Sequence, residues 1–405
     1  MNHWDIARRL MNYERGSFVR FILRLAYICT ALSISVMIVA NAVITGFNKE
    51  ISDKIFGFWG HIQINSIHSS QMNVSHPIGY DSLFVKALDS IPGIRHHQTF
   101  AFIPAVITAG EEMDGLILKG IGNDFDWAFF EKYLVSGSVA AFRDSSHHNL
   151  MLSQSLANRL KLTAGEKSRV NFVINQEVIP RTYYISAIYN TGLEEYDQKL
   201  ALCNIDEIRK LANWKPDQIG GYELFLNDIS QSDSIADQIY ENHLNQDMFI
   251  ETIRQKFPSI FDWLNLQNTN QYVIQALMLV VASINLITVL LILILERTRM
   301  IGTFKALGMK NRALKSIFLI HAFQILLKGI GWGNVIGFLI CWIQKYGKVL
   351  KLNEQDYYLK VAPIHIHLPT VLLINLGAIV LTMLILIIPI GLIGRVSPLK
   401  AIGYR

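Results

Sequence analysis

The sequence predicts an α-helical membrane protein with four transmembrane helices and one large α+β domain inserted between the first and second. Three observations carry this fold class. Of 405 residues, 51% are apolar and only 17% are charged, a balance shifted toward membrane proteins. The apolar residues gather into four windows, near 25–47, 272–295, 316–343 and 370–394. Each is long enough to cross about 30 Å of hydrocarbon at roughly 20 residues per helix. Between the first two windows polar residues return, and strand-like and helix-like patterns alternate.

Residues 1–20 open the chain. Trp4, Ile6, Ala7, Leu10 and Met11 interleave with Arg8, Arg9 and Glu14, the pattern of an amphipathic elbow helix at the cytoplasmic interface with Trp4 at headgroup depth. Residues 21–47 form the first span. Val39-Ala40-Asn41-Ala42 has the form of a signal-cleavage site, but the leader is long and the chain stays apolar through Ile44, which favours an uncleaved helix. The α+β domain fills 48–270. Alternation marks strands at 61–65, 169–174 and 182–189, with Pro180 expected in the turn between the last two. Helical stretches fall at 81–88, 152–160, 205–211 and 232–243, an order that suggests two α+β lobes. A helix beginning near Pro258 runs into the second span, 271–295. There follow a short segment at 296–315, the third span at 316–343 with Lys328 as its one charge, a loop at 344–369, the fourth span at 370–394 and a tail at 395–405.

Basic flanks set the orientation, because lysine and arginine beside a span resist translocation. Arg8, Arg9, Arg15 and Arg20 precede the first span and Arg24 lies in its first turn, before the apolar window; Arg297, Arg299, Lys305, Lys310, Arg312 and Lys315 lie between the second and third; Arg395, Lys400 and Arg405 follow the fourth. Both termini are therefore expected in the cytoplasm, with the large domain and the 344–369 loop on the far side. That loop carries Lys345, Lys348, Lys351 and Lys360, partly offset by Glu354 and Asp356, so the bias is incomplete. Cys29 and Cys341 fall in spans and only Cys203 lies in the domain, which leaves no pair for a disulfide within it.

The chain has no phosphate-binding loop and no H-E-x-x-H, C-x-x-C or G-x-S-x-G motif. No catalytic residue, metal site or cofactor is expected on this chain, and no nucleic acid as a partner. The histidine pairs His96-His97 and His147-His148, with His365 and His367, repeat no ligand spacing and read as polar loop residues. Asn285, inside the second span, reads as a polar group that hydrogen-bonds a neighbouring helix, though intramembrane polar groups are often functional.

The most informative segment is the one between the second and third spans. Residues 299–307 read as a short amphipathic helix with Met300, Thr303, Phe304 and Leu307 on one face, closed by Gly308 in the left-handed position. It could be a simple interfacial connector. Yet Glu296, Arg297, Thr298, Arg299, Ile301, Gly302, Lys305, Ala306, Leu307 and Gly308, in this order, resemble the coupling segment of the MacB/FtsX/LolC/LolE superfamily of ABC transporter permeases. The glycine-spaced third span, with Gly329, Gly331, Gly333 and Gly337, is similar too, and glycine at such spacing lets helices approach closely.

Within that superfamily the lipoprotein-releasing LolC/LolE branch is the most similar. Gly46-Phe47-Asn48-Lys49-Glu50-Ile51 and Gly60-His61-Ile62-Gln63-Ile64 resemble its junction of first span and first strand; Lys119-Gly120-Ile121 and Leu156 to Glu166 resemble turns of its domain; Ala282-Ser283-Ile284-Asn285 resembles a patch in its second span; and Tyr357-Tyr358 to Pro363 resembles its outer loop. Departures are Ile44-Thr45 where Met-Asn is usual, Leu392 and Ile393 where two arginines follow the proline, and a 174–181 connection too short for the LolC hook. These favour LolE, or a system with a single kind of permease.

The resemblance implies a bacterial inner-membrane protein with a periplasmic domain. It implies Arg299, Met300, Thr303, Phe304, Lys305, Ala306, Leu307 and Gly308 as the surface that docks a cytoplasmic ABC ATPase dimer, on which ATP and Mg would be bound. A lipoprotein or lipid cavity formed by Ala40, Val43, Ile44, Phe47, Gln275, Leu279, Tyr357 and Tyr358 would lie between two permeases, identical or homologous. The substrate would be a lipoprotein, passed to a periplasmic carrier. Asn285, Gly329, Gly333 and Gly337 are assigned to helix packing. Three other readings stay open: a MacB-like efflux or mechanotransmission permease, which usually carries its ATPase fused; an FtsX-like regulator of a cell-wall hydrolase, which typically has a smaller outer domain; and a solitary receptor, which needs no coupling segment.

Overall fold

The structure, a computed structural model, describes residues 17–69, 74–143, 148–174, 176–353 and 357–395. The elbow helix expected at 1–20 lies outside these residues except for its last four, which already belong to the first long helix. Glu354, Asp356, His147 and the 396–405 tail, with Lys400 and Arg405, also lie outside them. Two compact units divide the chain: a helical unit of residues 1–49, 263–351 and 361–405, and a sheet unit of residues 50–262 and 352–360.

The helical unit is built on four helices long and apolar enough to cross a membrane: Ser17–Trp59, Pro258–Glu296, Asn311–Gly347 and Leu368–Ile390. The first and second run past the apolar windows into residues of the sheet unit. Helix Ser17–Trp59 continues beyond Phe47 because Ile51, Ile55 and Phe58 recur at helical spacing and are buried there. Helix Pro258–Glu296 opens with proline, whose missing N–H costs nothing in the first turn. Within the helical unit, Ile34, Ile38, Leu290, Leu326, Ile374 and Leu386 belong to one apolar core.

The sheet unit contains β1 (Ile62–Ser66), β2 (Ile78–Gly79), β3 (Ile94–Ala109), β4 (Glu112–Ile121), β5 (Leu134–Gly137), β6 (Asn149–Ser153), β7 (Lys167–Ile174), β8 (Glu177–Tyr189), β9 (Leu200–Asn204), β10 (Gln218–Ile219), β11 (Gly221–Leu226) and β12 (Met248–Thr252). Four of them, in the order β12-β1-β11-β3, form an antiparallel sheet. Helix Ser82–Ser90 joins β1 to β3, and helix Ser232–Asn242 joins β11 to β12. This is the βαββαβ arrangement of ferredoxin-like folds. Between its second and third strands the chain inserts a second lobe. There β3-β4-β9-β6-β8-β7 pair in turn and β7 pairs back onto β3, closing a six-stranded ring. The sixteen-residue β3 belongs to both lobes. Ring closure removes most of the edges that an open sheet would expose.

Two local expectations are corrected. Pro180 is not in a turn; it lies inside β8 opposite Asn171. Proline is tolerated there because β6 joins the other side of β8 only from Tyr184 onward, so the missing N–H faces no partner strand. The helix expected at 152–160 begins at Gln154, because Leu152 is in β6 and the Ser153 side chain caps the helix by accepting from the Leu156 N–H.

Candidate functional site

In the helical unit the segment after the second long helix forms a short helix, Thr298–Ala306. Its C-terminus is a Schellman motif: the Met309 N–H donates to the Phe304 carbonyl at 2.9 Å and the Gly308 N–H to the Lys305 carbonyl at 3.0 Å. Gly308 sits at φ +88°, where any side chain would be strained. Ile301 and Gly302 are buried, and Met300 and Phe304 pack half-buried against the core. Lys305 Nζ donates to the Ile393 carbonyl at 2.8 Å. The expected face therefore divides. Arg299, Thr303, Ala306, Leu307 and Gly308 are exposed, with Leu307 at 78%, whereas Met300 and Phe304 hold the helix in place.

Helix Asn311–Gly347 packs on helix Ser17–Trp59 through a glycine seam. A Cβ on Gly329 would stand 2.6 Å from Thr30 Cβ, on Gly333 2.7 Å from Ile34 Cβ, and on Gly337 3.2 Å from Ile38 Cβ. The four-residue steps match on both helices, which is how close helix crossings form. Gly331 has nothing within 4 Å and takes no part. Asn285 Nδ2 donates to the Ala26 carbonyl at 3.3 Å. A second polar link escapes notice in the sequence: Asn334 and Asn375 exchange side-chain hydrogen bonds of 3.1 and 3.0 Å between the third and fourth spans.

Ala40, Val43, Ile44, Phe47, Gln275 and Leu279 all lie in the helical unit, and all are half-buried. Near the end of the first span, the Ala42 carbonyl accepts from the His365 N–H at 3.0 Å, and Gly46 lies so close to Pro363 that a Cβ would meet its carbonyl oxygen at 2.6 Å. Tyr357 and Tyr358 belong instead to the sheet unit. There the buried Lys54 donates to the Tyr358 carbonyl at 2.8 Å. Tyr358 itself has φ +57°.

The sheet unit also holds a charged cluster that the sequence does not disclose. Lys119 on β4 and Glu223 on β11 are almost wholly buried, at 1% and 0% exposure. Lys119 Nζ donates to both Glu223 oxygens, at 2.7 and 2.8 Å, and to the Phe58 carbonyl in the last turn of the first long helix. Trp59, Phe100, Phe102 and Phe125 surround the ammonium at about 6 Å. Burial pulls the Lys119 ammonium below the usual lysine range, and the Glu223 carboxylate opposes that pull. Gln63 and Gln98 each donate to Glu223, at 3.0 and 2.8 Å. Lys256 donates to Gln63 at 2.6 Å and pairs with Glu251 at 2.9 Å.

With this geometry in view, similarity to known proteins sorts the readings. Residues 272–398 match the family described as FtsX-like permease, C-terminal. LolC of the lipoprotein-releasing system of Xylella fastidiosa is 21% identical across 98% of this chain and 97% of its own length. LolE of that system in Haemophilus influenzae is 23% identical across 96% and 97%, and LolC of the same organism 24% identical across 96% and 95%. The chain is similar to the LolC and LolE permeases over nearly its whole length. It matches LolC and LolE alike, so the comparison does not reproduce the lean toward LolE. The periplasmic region of MacB from Actinobacillus actinomycetemcomitans aligns over 49% of this chain and 91% of its own, at 14% identity and a TM-score of 0.34.

Proposed function

We propose that this chain is the membrane subunit of an ABC transporter that extracts lipoproteins from the inner membrane for transfer toward the outer membrane. The observation that carries the reading is similarity running almost end to end with LolC and LolE, proteins named for lipoprotein release. In this reading both termini are cytoplasmic and the sheet unit is periplasmic. The exposed side of helix Thr298–Ala306, with Arg299, Thr303 and Leu307, docks a separate ATPase dimer that binds ATP and Mg. A second permease, identical or homologous, completes the transporter.

The physical task suits this division of labour. Withdrawing acyl chains from a bilayer costs about 0.8 kcal/mol per buried CH₂, so a multiply acylated anchor needs external work. ATP hydrolysed on the partner supplies it. Half-buried Ala40, Val43, Ile44, Phe47, Gln275 and Leu279 offer the acyl chains a lining between two permeases, and a periplasmic carrier receives the product.

The test is purification from the native membrane in mild detergent, identification of bound proteins by mass spectrometry, and addition of ATP. An ATPase together with an acylated protein that leaves on ATP addition supports extraction. An ATPase with a cell-wall hydrolase and no lipoprotein would transfer the reading to an FtsX-like regulator. Absence of an ATPase would end the transporter reading altogether.

A further inference from the structure

We propose that the row of half-buried Lys256 and buried Gln63, Glu223 and Lys119 is a positioning site: it fixes the end of the first long helix and the start of the second to the same sheet, so that displacement of either helix moves the domain. The inference rests on the transporter reading above for its biological purpose, but its geometry is independent of any substrate.

The row begins at helix Ile253–Lys256, directly before Pro258 opens the second long helix. It crosses β1 through Gln63 and β11 through Glu223, and reaches β4 through Lys119. It ends on the Phe58 carbonyl, one residue from the end of helix Ser17–Trp59. The Trp59 ring lies 5.4 Å from Lys256 Nζ and 6.0 Å from Lys119 Nζ, so it packs beside both cations. All three ammonium donors of Lys119 are used, and each Glu223 oxygen accepts from lysine and from one glutamine. Gln98 in turn accepts from the Asp126 N–H at 3.0 Å.

Stability alone is a weak reason for such a row. Burying an ion pair carries a desolvation cost that well-packed apolar residues of equal volume avoid. Apolar contact is also non-directional, whereas hydrogen bonds weaken steeply as they bend. What this row supplies, and an apolar patch would not, is a fixed angle between two helix ends and a sheet. Because Lys119 belongs to the ring and Glu223 to the ferredoxin-like lobe, it fixes the two lobes to each other as well.

The experiment uses the complete complex with its ATPase in lipid nanodiscs. Hydrogen exchange of the sheet unit is followed with and without ATP, alongside ATPase rate and lipoprotein released per ATP. Two variants are compared with wild type. Lys119→Met with Glu223→Leu removes both charges together, avoiding an unpaired one. Lys256→Met removes the link toward the second helix together with the Glu251 pair, at a side chain that is 19% exposed, and so decides the matter if the double variant does not fold. The expected result is an ATPase rate within about twofold of wild type, with the ATP-dependent exchange change and the release per ATP each reduced about tenfold. Wild-type coupling in Lys256→Met, or in a folded double variant, would overturn the proposal, as would a wild-type sheet unit whose exchange ignores ATP. If wild type shows the exchange change but releases no lipoprotein, the extraction reading fails while the joint still stands on the exchange data.

Discussion

Adding one methyl group at Gly333 should destabilise the helical unit, and adding it two residues earlier should not. A Cβ at position 333 would lie 2.7 Å from Ile34 Cβ and 2.8 Å from the Ala31 carbonyl oxygen. Carbon atoms pack at about 3.5–4.0 Å, so the third span must retreat from the first by roughly 1 Å. The Ala31 oxygen is backbone and cannot rotate away. Overpacking of this kind costs up to about 3 kcal/mol, and the better helix propensity of alanine returns about 1, leaving a net loss near 2 kcal/mol. At Gly331 nothing lies within 4 Å, so Gly331→Ala keeps only the propensity gain of up to about 1 kcal/mol. Unfolding of the full chain by SDS in mixed micelles measures both. Midpoints that shift in the same direction for Gly333→Ala and Gly331→Ala would refute the seam.

Other perturbations follow from the same geometry. Leu307→Asp, at a side chain that touches little of its own chain, should abolish co-purification of the ATPase without altering thermal stability, whereas Phe304→Asp should lower both. Asn334→Leu leaves the Asn375 amide unpaired and should cost on the order of 0.6 kcal/mol in SDS unfolding, with Asn334→Leu/Asn375→Leu recovering most of it. Two buried groups in the sheet unit should oppose each other in acid. Burial raises the Asp197 carboxyl from 3.8 to about 6, against hydrogen bonds from Thr191 and Gly192. The folded state therefore holds that proton more tightly, and its contribution to stability falls as pH rises through this window. Burial, with help from Arg95, lowers the His61 imidazole from 6.5 to about 4, so its contribution is lost as pH falls between those values. Chemical denaturation of the full chain should then show a steeper acid loss for Asp197→Asn and a flatter one for His61→Asn.

Much of this architecture is legible in the sequence where one physical signal acts alone. The four long apolar helices announce themselves by length and the scarcity of charge, Pro258 marks a helix start, and Gly308 marks a helix end. Legibility fails where a residue's role depends on a partner far along the chain. The first helix does not stop at the apolar boundary: Ile51, Ile55 and Phe58 are buried residues of the sheet unit, and Phe58 packs on Phe130 and Tyr189. Lys119 and Glu223 read as ordinary polar residues because nothing local brings β4 beside the end of the first helix. Asn334 and Asn375 belong to different spans, and neither reveals that it satisfies the other. Pro180 sits inside a strand although proline commonly marks a turn, because which side of β8 lacks a neighbour there depends on β6, which joins only from Tyr184 onward. The short helix Thr298–Ala306 is legible in its pattern, but amphipathicity does not tell the side that packs, with Met300 and Phe304, from the side left open.

The insertion of the ring between β3 and β11 also dictates an order of assembly. β1 is made early, yet its partners are Gly221 to Leu224 and Met248 to Thr252, which follow only after every ring strand has been synthesised. The ring closes using residues between Phe100 and Asn204 alone, so it has the means to form while β1 still waits. An unpaired strand beside unfolded chain is a template for mispairing. A nascent protein halted before β11 would therefore carry a finished ring and an orphan strand at once, which makes that interval the one in which aggregation is most to be expected and a chaperone of most use.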